Sequence, residues 1–346
     1  MRKIAFYLLY SLLIISCTTE RNDDNVLYGY ETNELVLEKI DIEPLIGAPN
    51  KIRIIGDTLI LADRVDGYGL LLYDLANNSY IRTLKIGNGP DDLIFPVCLD
   101  VDLKRHELAI LQRGTGFIRV YSLTDLSMPN PLNKSNIRIN GTDMFAWGEN
   151  SYFIAGSDDE DIIWQSNYEG NKIGRVSYGI KNTIIEEKNG NARRITSPYS
   201  LLQGSLAYNE YSGVLMMAPA FASTIYFFKK NGNEWTESNS LSFGDDGFAE
   251  RIARNDYSLD ENDIQRTIDV CKTKNYFYVL YHGAPLGGSS NPTTKHILQF
   301  TKEGKLKHVF TTYQKIYSFC VKEDDSVLFA VIRDEDDEFL LAKAKL

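Results

Sequence analysis

Histidine and cysteine are scarce in this chain, four of each among 346 residues, and the scarcity removes several kinds of chemistry. His106, His282, His296 and His308 stand far apart, with no HxH or HxxxH pair to seat a transition metal. No two cysteines have CxxC spacing, which excludes a zinc ribbon or a dithiol redox motif. Basic residues are outnumbered 37 to 47, for a net charge of −10. That balance argues against nucleic acid as a partner and against adhesion to anionic lipid through a basic patch. Gly204-Ser205 and Gly288-Ser289 lack the Gly-x-Ser-x-Gly frame of a nucleophile elbow, so no catalytic residue is assigned. Gly87-Asn88-Gly89-Pro90 has neither the lysine nor the following helix of a phosphate loop, and reads as a tight turn between strands.

One apolar run stands out, at the start. Arg2 and Lys3 precede a largely apolar run from Ile4 to Ile15, followed by Ser16-Cys17. The stretch is too short for a comfortable membrane span and suits a signal peptide. Its end has the form of a lipobox, in which Cys17 is acylated and becomes the first residue of the mature chain. Residues 1–16 are therefore expected to be a lipoprotein signal peptide, and 17–34, polar and acidic, a tether. The expected location is the cell envelope, as an outer-membrane lipoprotein facing the periplasm or the surface. The membrane is reached through that anchor alone, because no later run approaches spanning length.

Cys98, Cys271 and Cys320 sit within apolar runs and read as small buried hydrophobes, a Cys271–Cys320 disulfide being the alternative. Two acidic runs, Asp158 to Asp161 and Asp334 to Glu338, hold oxygen ligands suited to weak Ca²⁺ binding. They lack the glycine and spacing of a dedicated calcium loop, so they read as solvated turns and no cofactor is expected.

The rest of the chain repeats. TLILADR, ELAILQR, SYFIAGS, GVLMMAPA, YFYVLYHG and SVLFAVIR are apolar runs, each ending in a small or polar residue. Each is followed by a second run (YGLLLYDL through EFLLAKAKL) and preceded by a shorter one (KIRIIGD through YSFCVKED). The copies recur about every 50 residues, within the range for propeller blades. Candidate fourth strands are YIRTLKIG, NIRIN, KIGRVSYG, WTESNSLSFG and KLKHVFTT. The sixth copy stops at its third strand, and LVLEKIDIE, Leu35 to Glu43, precedes the first copy and is free to complete it. Radial sheets that bury their faces against neighbours and close in a ring leave only short edges. The reading is all-β: a six-bladed β-propeller over residues 35–346, its last blade closed by the N-terminal strand. Residues 180–200 and 244–267 are long inter-blade connections, and Ser258 with Glu261 has capping-box spacing for a short helix.

The lipobox, the first blade ILADR…LLLYDL and the loop IGNGPDDLIFP together resemble exported six-bladed propeller lipoproteins of Bacteroidetes, in the TolB-like superfamily. Asp92 takes the acidic place of that loop's Gly-x-Gly-Pro-x-(Glu/Asp)-Phe pattern, while Phe95 is displaced by Leu93-Ile94. The resemblance implies an envelope location and a binding role, and transfers no catalytic residue.

In a propeller the turns between second and third strands share one face, around the channel mouth. That face is expected to carry Asp63, Arg64, Asp66, Gln112, Arg113, Asp158, Phe221, His282, Arg333 and Asp334. Charged and aromatic groups converging on a concave mouth suit a small polar ligand or a loop of an envelope protein. A non-enzymatic binding role is the leading expectation. The alternatives are a hydrolase or lyase acting on a glycan or peptide in the channel, and a structural subunit of an envelope complex.

Overall fold

Each apolar run becomes one strand, and the polar residues between runs become turns. The computed structural model describes residues 26–346 apart from 44, 95–96, 113–116, 124–130, 137–144, 149, 157–159, 187–192 and 288–295. Two short strands lead, β1 (Thr32–Glu34) and β2 (Glu38–Lys39). Blade 1 is β3 (Pro49–Ile55), β4 (Thr58–Val65), β5 (Tyr68–Asp74) and β6 (Ser79–Lys85). Blade 2 is β7 (Val97–Asp102), β8 (Glu107–Gln112), β9 (Phe117–Ser122) and β10 (Pro131–Asn136). Blade 3 is β11 (Phe145–Gly148), β12 (Ser151–Ala155), β13 (Ile163–Asn167) and β14 (Lys172–Val176). A hairpin of β15 (Thr183–Glu186) and β16 (Arg193–Thr196) and a single helical turn, α1 (Tyr199–Leu202), fill the connection that follows.

Blade 4 is β17 (Gly204–Asn209), β18 (Val214–Pro219), β19 (Thr224–Asn231) and β20 (Glu234–Ser242), followed by helix α2 (Phe248–Ala253). Blade 5 is β21 (Ile264–Lys272), β22 (Tyr276–Pro285), β23 (His296–Thr301) and β24 (Leu306–Thr311). Blade 6 has three strands of its own, β25 (Ile316–Val321), β26 (Val327–Arg333) and β27 (Phe339–Lys345). Within every blade the strands are antiparallel and paired in chain order. The innermost strands β3, β7, β11, β17, β21 and β25 pack against one another in turn, and β25 returns to β3, so the ring closes.

Closure uses the N-terminal segment, as its sequence predicts, but in two steps. β2 pairs antiparallel with β27 as the fourth strand of blade 6, Glu38 opposite Lys343. β1 pairs parallel with β24, adding a fifth strand to blade 5. Between them Leu35 and Leu37 are buried with Ile297, Phe310 and Leu328. Residues 26–34, read from the sequence as the end of a tether, are thus docked on the ring, and Leu27 is buried against blades 4 and 5. One segment straps two blades, and its apolar side chains supply the reason it stays there.

The core is divided accordingly. Six buried apolar clusters occupy the six gaps between neighbouring blades. The gap between blades 4 and 5, for example, holds Phe227 against Phe277, with ring centroids 5.7 Å apart. The outer edges of blades 3 and 4 also join, because β14 pairs parallel with β20 and Arg175 meets Glu234 at 2.7 Å. Asp66 and Gly67 turn β4 into β5 with positive φ at both positions, the two-residue turn whose twist matches its strands.

Two sequence expectations are corrected. The fourth strand of blade 2 is Pro131–Asn136 rather than NIRIN, whose residues beyond Asn136 lie outside the described residues. No helix starts at Ser258. Its hydroxyl donates to Asp256 at 2.7 Å, and the helix of that connection is α2, ten residues earlier, where the Asp246 carboxylate accepts the Phe248 N–H. Cys98, Cys271 and Cys320 are free thiols and buried, so the disulfide alternative is set aside.

Candidate functional site

The apolar runs of the innermost strands are interrupted by charged residues, and these meet in the channel. Lys51 and Arg53 lie on β3, Asp100 on β7, Asp269 and Lys272 on β21, and Glu210 just after β17. Lys51 Nζ is 3.0 Å from Asp269 Oδ1, and Arg53 Nη2 is 3.3 Å from the same oxygen. Arg53 also lies in the field of Asp100. Lys272 Nζ then bridges Asp100 at 3.7 Å and Glu210 at 3.0 Å. The order is cation, anion, cation, anion, cation, anion: a charge ladder that crosses between blades 1, 5, 2 and 4. Backbone groups complete it. Arg53 donates to the Val270 carbonyl at 2.9 Å, Lys272 to the Tyr208 carbonyl at 2.6 Å, and Leu103 N–H to Glu210 at 2.7 Å.

Pairing decides the protonation states. Burial alone would raise the Asp269 carboxyl, but Arg53 and Lys51 beside it hold it down to about 2. Burial opposes charge on Arg53 and Lys272, and their carboxylate neighbours more than offset it, so both are pushed above their ordinary values. Asp269, Arg53 and Lys272 are therefore charged at neutral pH. The rungs also fill the channel, leaving a void of about 10 Å³ among them.

At the Lys51 end the channel widens into a funnel of about 250 Å³. Its wall is built from the first residues of five innermost strands and from the turn after β18. Asn50, Gln203, Ser205, Gln265 and Thr267 supply polar groups; Phe221 and Tyr317 supply aromatic surface. Lys51 and Asp269 are its charged residues among those described. Thr267 Oγ1 is buried there and makes no hydrogen bond.

The funnel opens on the face expected from the sequence, but most of its residues were not the ones expected. Phe221 lines it. Asp63 is fully buried and points the other way, accepting from Ala48 N–H at 2.8 Å and pairing with Arg82 at 3.5 Å, which pins the approach to β3. Arg64 and Asp66 are exposed at the β4–β5 turn. Gln112 ends β8, buried, and His282 is buried within β22. Arg333 lies over the rings of Phe339 and Tyr317, 4.4 and 5.3 Å from their centroids, and pairs with Asp337, so it backs the funnel through Tyr317. Asp334 closes its own turn by accepting from Asp336 and Glu338 N–H. Arg113 and Asp158, like the lipidation candidate Cys17, lie outside the described residues. In the acidic run beside Asp158, Glu160 and Asp161 pair with Lys181 and Lys172.

The Gly-Pro loop is a clasp between blades, in keeping with its reading as a turn. Asp92 accepts from Gly89 N–H at 2.7 Å, and a Cβ on Gly87 or Gly89 would collide with that carboxylate. Arg119 of blade 2 donates to the carbonyls of Asp91 at 2.6 Å and Pro90 at 3.0 Å. The loop thus joins blade 1 to blade 2 through carbonyl groups that its sharp turn presents.

These features define the class first: an all-β six-bladed propeller with a channel filled by paired charges and a polar funnel at one mouth. Residues 30–324 match the family described as TolB-like 6-blade propeller-like, and the chain belongs to it. Among solved structures it resembles a candidate exported protein of Bacteroides fragilis, with 13% identity and a TM-score of 0.56, over 90% of this chain and 95% of that one. It also resembles a protein of unknown function from Bacteroides thetaiotaomicron, with 11% identity and a TM-score of 0.50, over 90% of this chain and 72% of that one. At these identities the likeness is one of fold. No curated protein matches the chain. The family indicated by the first blade and the Gly-Pro loop is the one that the match gives.

Proposed function

We propose that this protein is an envelope-anchored binding propeller that holds a small polar ligand, or a polar group of a partner, in the funnel at the channel mouth. The observation that carries the reading is the funnel itself. Residues from five blades line one concavity, with polar side chains from blades 1, 4 and 5, and a layer of mutually paired charges forms its floor. Such a floor suits holding over proton transfer. Asp269, the carboxylate at the mouth, is shared by two cations and held at about 2, which makes it a poor base near neutrality.

Anchorage and location are part of the proposal. The lipobox at Cys17 and a solved neighbour described as a candidate exported protein both support an envelope protein tethered by lipid. Among the described residues no helix is long and apolar enough to cross a membrane, which leaves the acyl chains of Cys17 as the proposed attachment.

Native mass spectrometry of the chain released gently from its own envelope tests the binding role. The expected result is a co-purifying molecule on the unmodified chain that is lost from a Ser205→Trp variant, whose indole fills the funnel. An unmodified chain with nothing bound, or a ligand retained by the filled funnel, would contradict the proposal.

A further inference from the structure

The charge ladder has two ends, and they differ. Each interior rung has an opposite charge on both sides: Asp269 between Lys51 and Arg53, Arg53 between Asp269 and Asp100, Lys272 between Asp100 and Glu210. Among the described residues Lys51 is terminal and is paired on one side only, by Asp269 at 3.0 Å. It stands in the funnel wall with its side chain 15% exposed. An ammonium has three N–H donors, and a single carboxylate oxygen engages one direction. The group at the far end of the ladder, Glu210, is closed off by the Leu103 N–H and by Lys272. The ladder therefore presents a positive end to the funnel and a negative end, buried beside Lys272, to the opposite side.

The acids nearest the funnel do not cancel this end. Asp269 is shared by two cations. Asp63, at the end of β4, is turned toward Arg82 and the amides of Gly47 and Ala48. Arg53 behind Lys51 is shared with Asp100, so among the described residues Lys51 is the one cation of the ladder that stands in the funnel wall. Around it the funnel offers neutral donors and acceptors, Gln203 and Gln265. The volume, about 250 Å³, lies just under the range for drug-sized ligands.

We infer that the funnel selects a compact, hydroxylated monocarboxylate, its acid on Lys51 and its hydroxyl groups on Gln203 and Gln265. This inference rests on the binding reading above and adds the charge class of the ligand. A cation in a recess with low-dielectric walls draws an anion more strongly than one on open surface. One carboxylate also matches the single cation of the funnel wall, whereas a dianion would bring a second charge with no cation to meet it. The small volume favours a free molecule over a polymer segment.

Matched pairs test the charge directly. Glucuronate with glucuronamide, galacturonate with galacturonamide, and gluconate with gluconamide are titrated into the full chain at low ionic strength, with affinity read from the thermal shift. In at least one pair the acid is expected to bind about tenfold more tightly than its amide. Lys51→Met should bring the ratio to about one, while Lys51→Arg, which keeps the cation, should preserve it. Gln265→Glu, which leaves the ladder untouched and adds a negative charge to the funnel, should remove the preference as well. Equal affinities within all three pairs, or a preference that survives both Lys51→Met and Gln265→Glu, would overturn the inference. Either result, with a molecule still found in the funnel by native mass spectrometry, would leave the binding role standing.

Discussion

Arg53 and Asp269 stand on the innermost strands of blades 1 and 5 and meet in the channel, Nη2 to Oδ1 at 3.3 Å, both almost fully buried. The pair ties two non-adjacent blades together and forms the floor beneath the funnel. Ser318 of blade 6 adds a third tie, its hydroxyl donating to Asp269 at 2.5 Å and accepting the Ile52 N–H at 3.0 Å.

Removing one partner should therefore cost far more than removing both. Asp269→Asn leaves Arg53 buried beside a neutral amide, and a loss of about 3–5 kcal/mol is expected. Arg53→Met in the same chain should recover part of that loss. Urea unfolding of both single variants and the double variant measures the coupling.

Acid should act through the same group. Asp269 is near 2 in the folded chain, below its ordinary value of 3.8. A depressed carboxyl stabilises the fold above its unfolded pKa, and that contribution is lost as pH falls from about 4 toward 2. The loss should be on the order of 2 kcal/mol. Comparing urea midpoints at pH 5 and pH 2.5, the unmodified chain should fall further than Asp269→Asn, which lacks this titration.

How much of this was legible beforehand depends on where each signal lay. Blade strands showed because TLILADR and its relatives are unbroken apolar runs, and the closing strand showed because the sixth copy ends one strand short. β1 did not show: Thr32–Glu34 is polar, and its place beside β24 is fixed by Leu35 and Leu37 next to it. The channel face followed from topology. Its residues did not, because attention to turns favours groups such as Asp334 and Asp66 that serve their own turns. The informative signal was the polar residue inside an innermost strand: Arg53 in KIRIIGD, Asp100 in VCLDVDL, Asp269 and Lys272 in TIDVCK. Such residues have nowhere to go but the channel.

The blade 1–blade 2 clasp should be separable from the ladder. Arg119→Met removes the donors to the Pro90 and Asp91 carbonyls, with an expected cost of about 1–3 kcal/mol. Amide exchange should quicken at Gly89 and Leu93, whose N–H groups bond within the loop, more than at Val270 beside the ladder.

Anchorage is tested without reference to the ring. Cys17→Ser should abolish labelling by a palmitate analogue and leave the chain out of the Cys17-dependent membrane fraction. Unchanged labelling and fractionation would show that the lipobox is not used.

Occupancy of the funnel is tested by a photo-crosslinking amino acid placed at Ser205, in the funnel wall, and separately at Glu303, in the exposed β23–β24 turn on the opposite face. After irradiation of intact cells, position 205 should give an adduct that disappears when Gln265→Trp fills the funnel, and position 303 should give none. An adduct from position 303 alone, or one from position 205 that persists with the funnel filled, would contradict it.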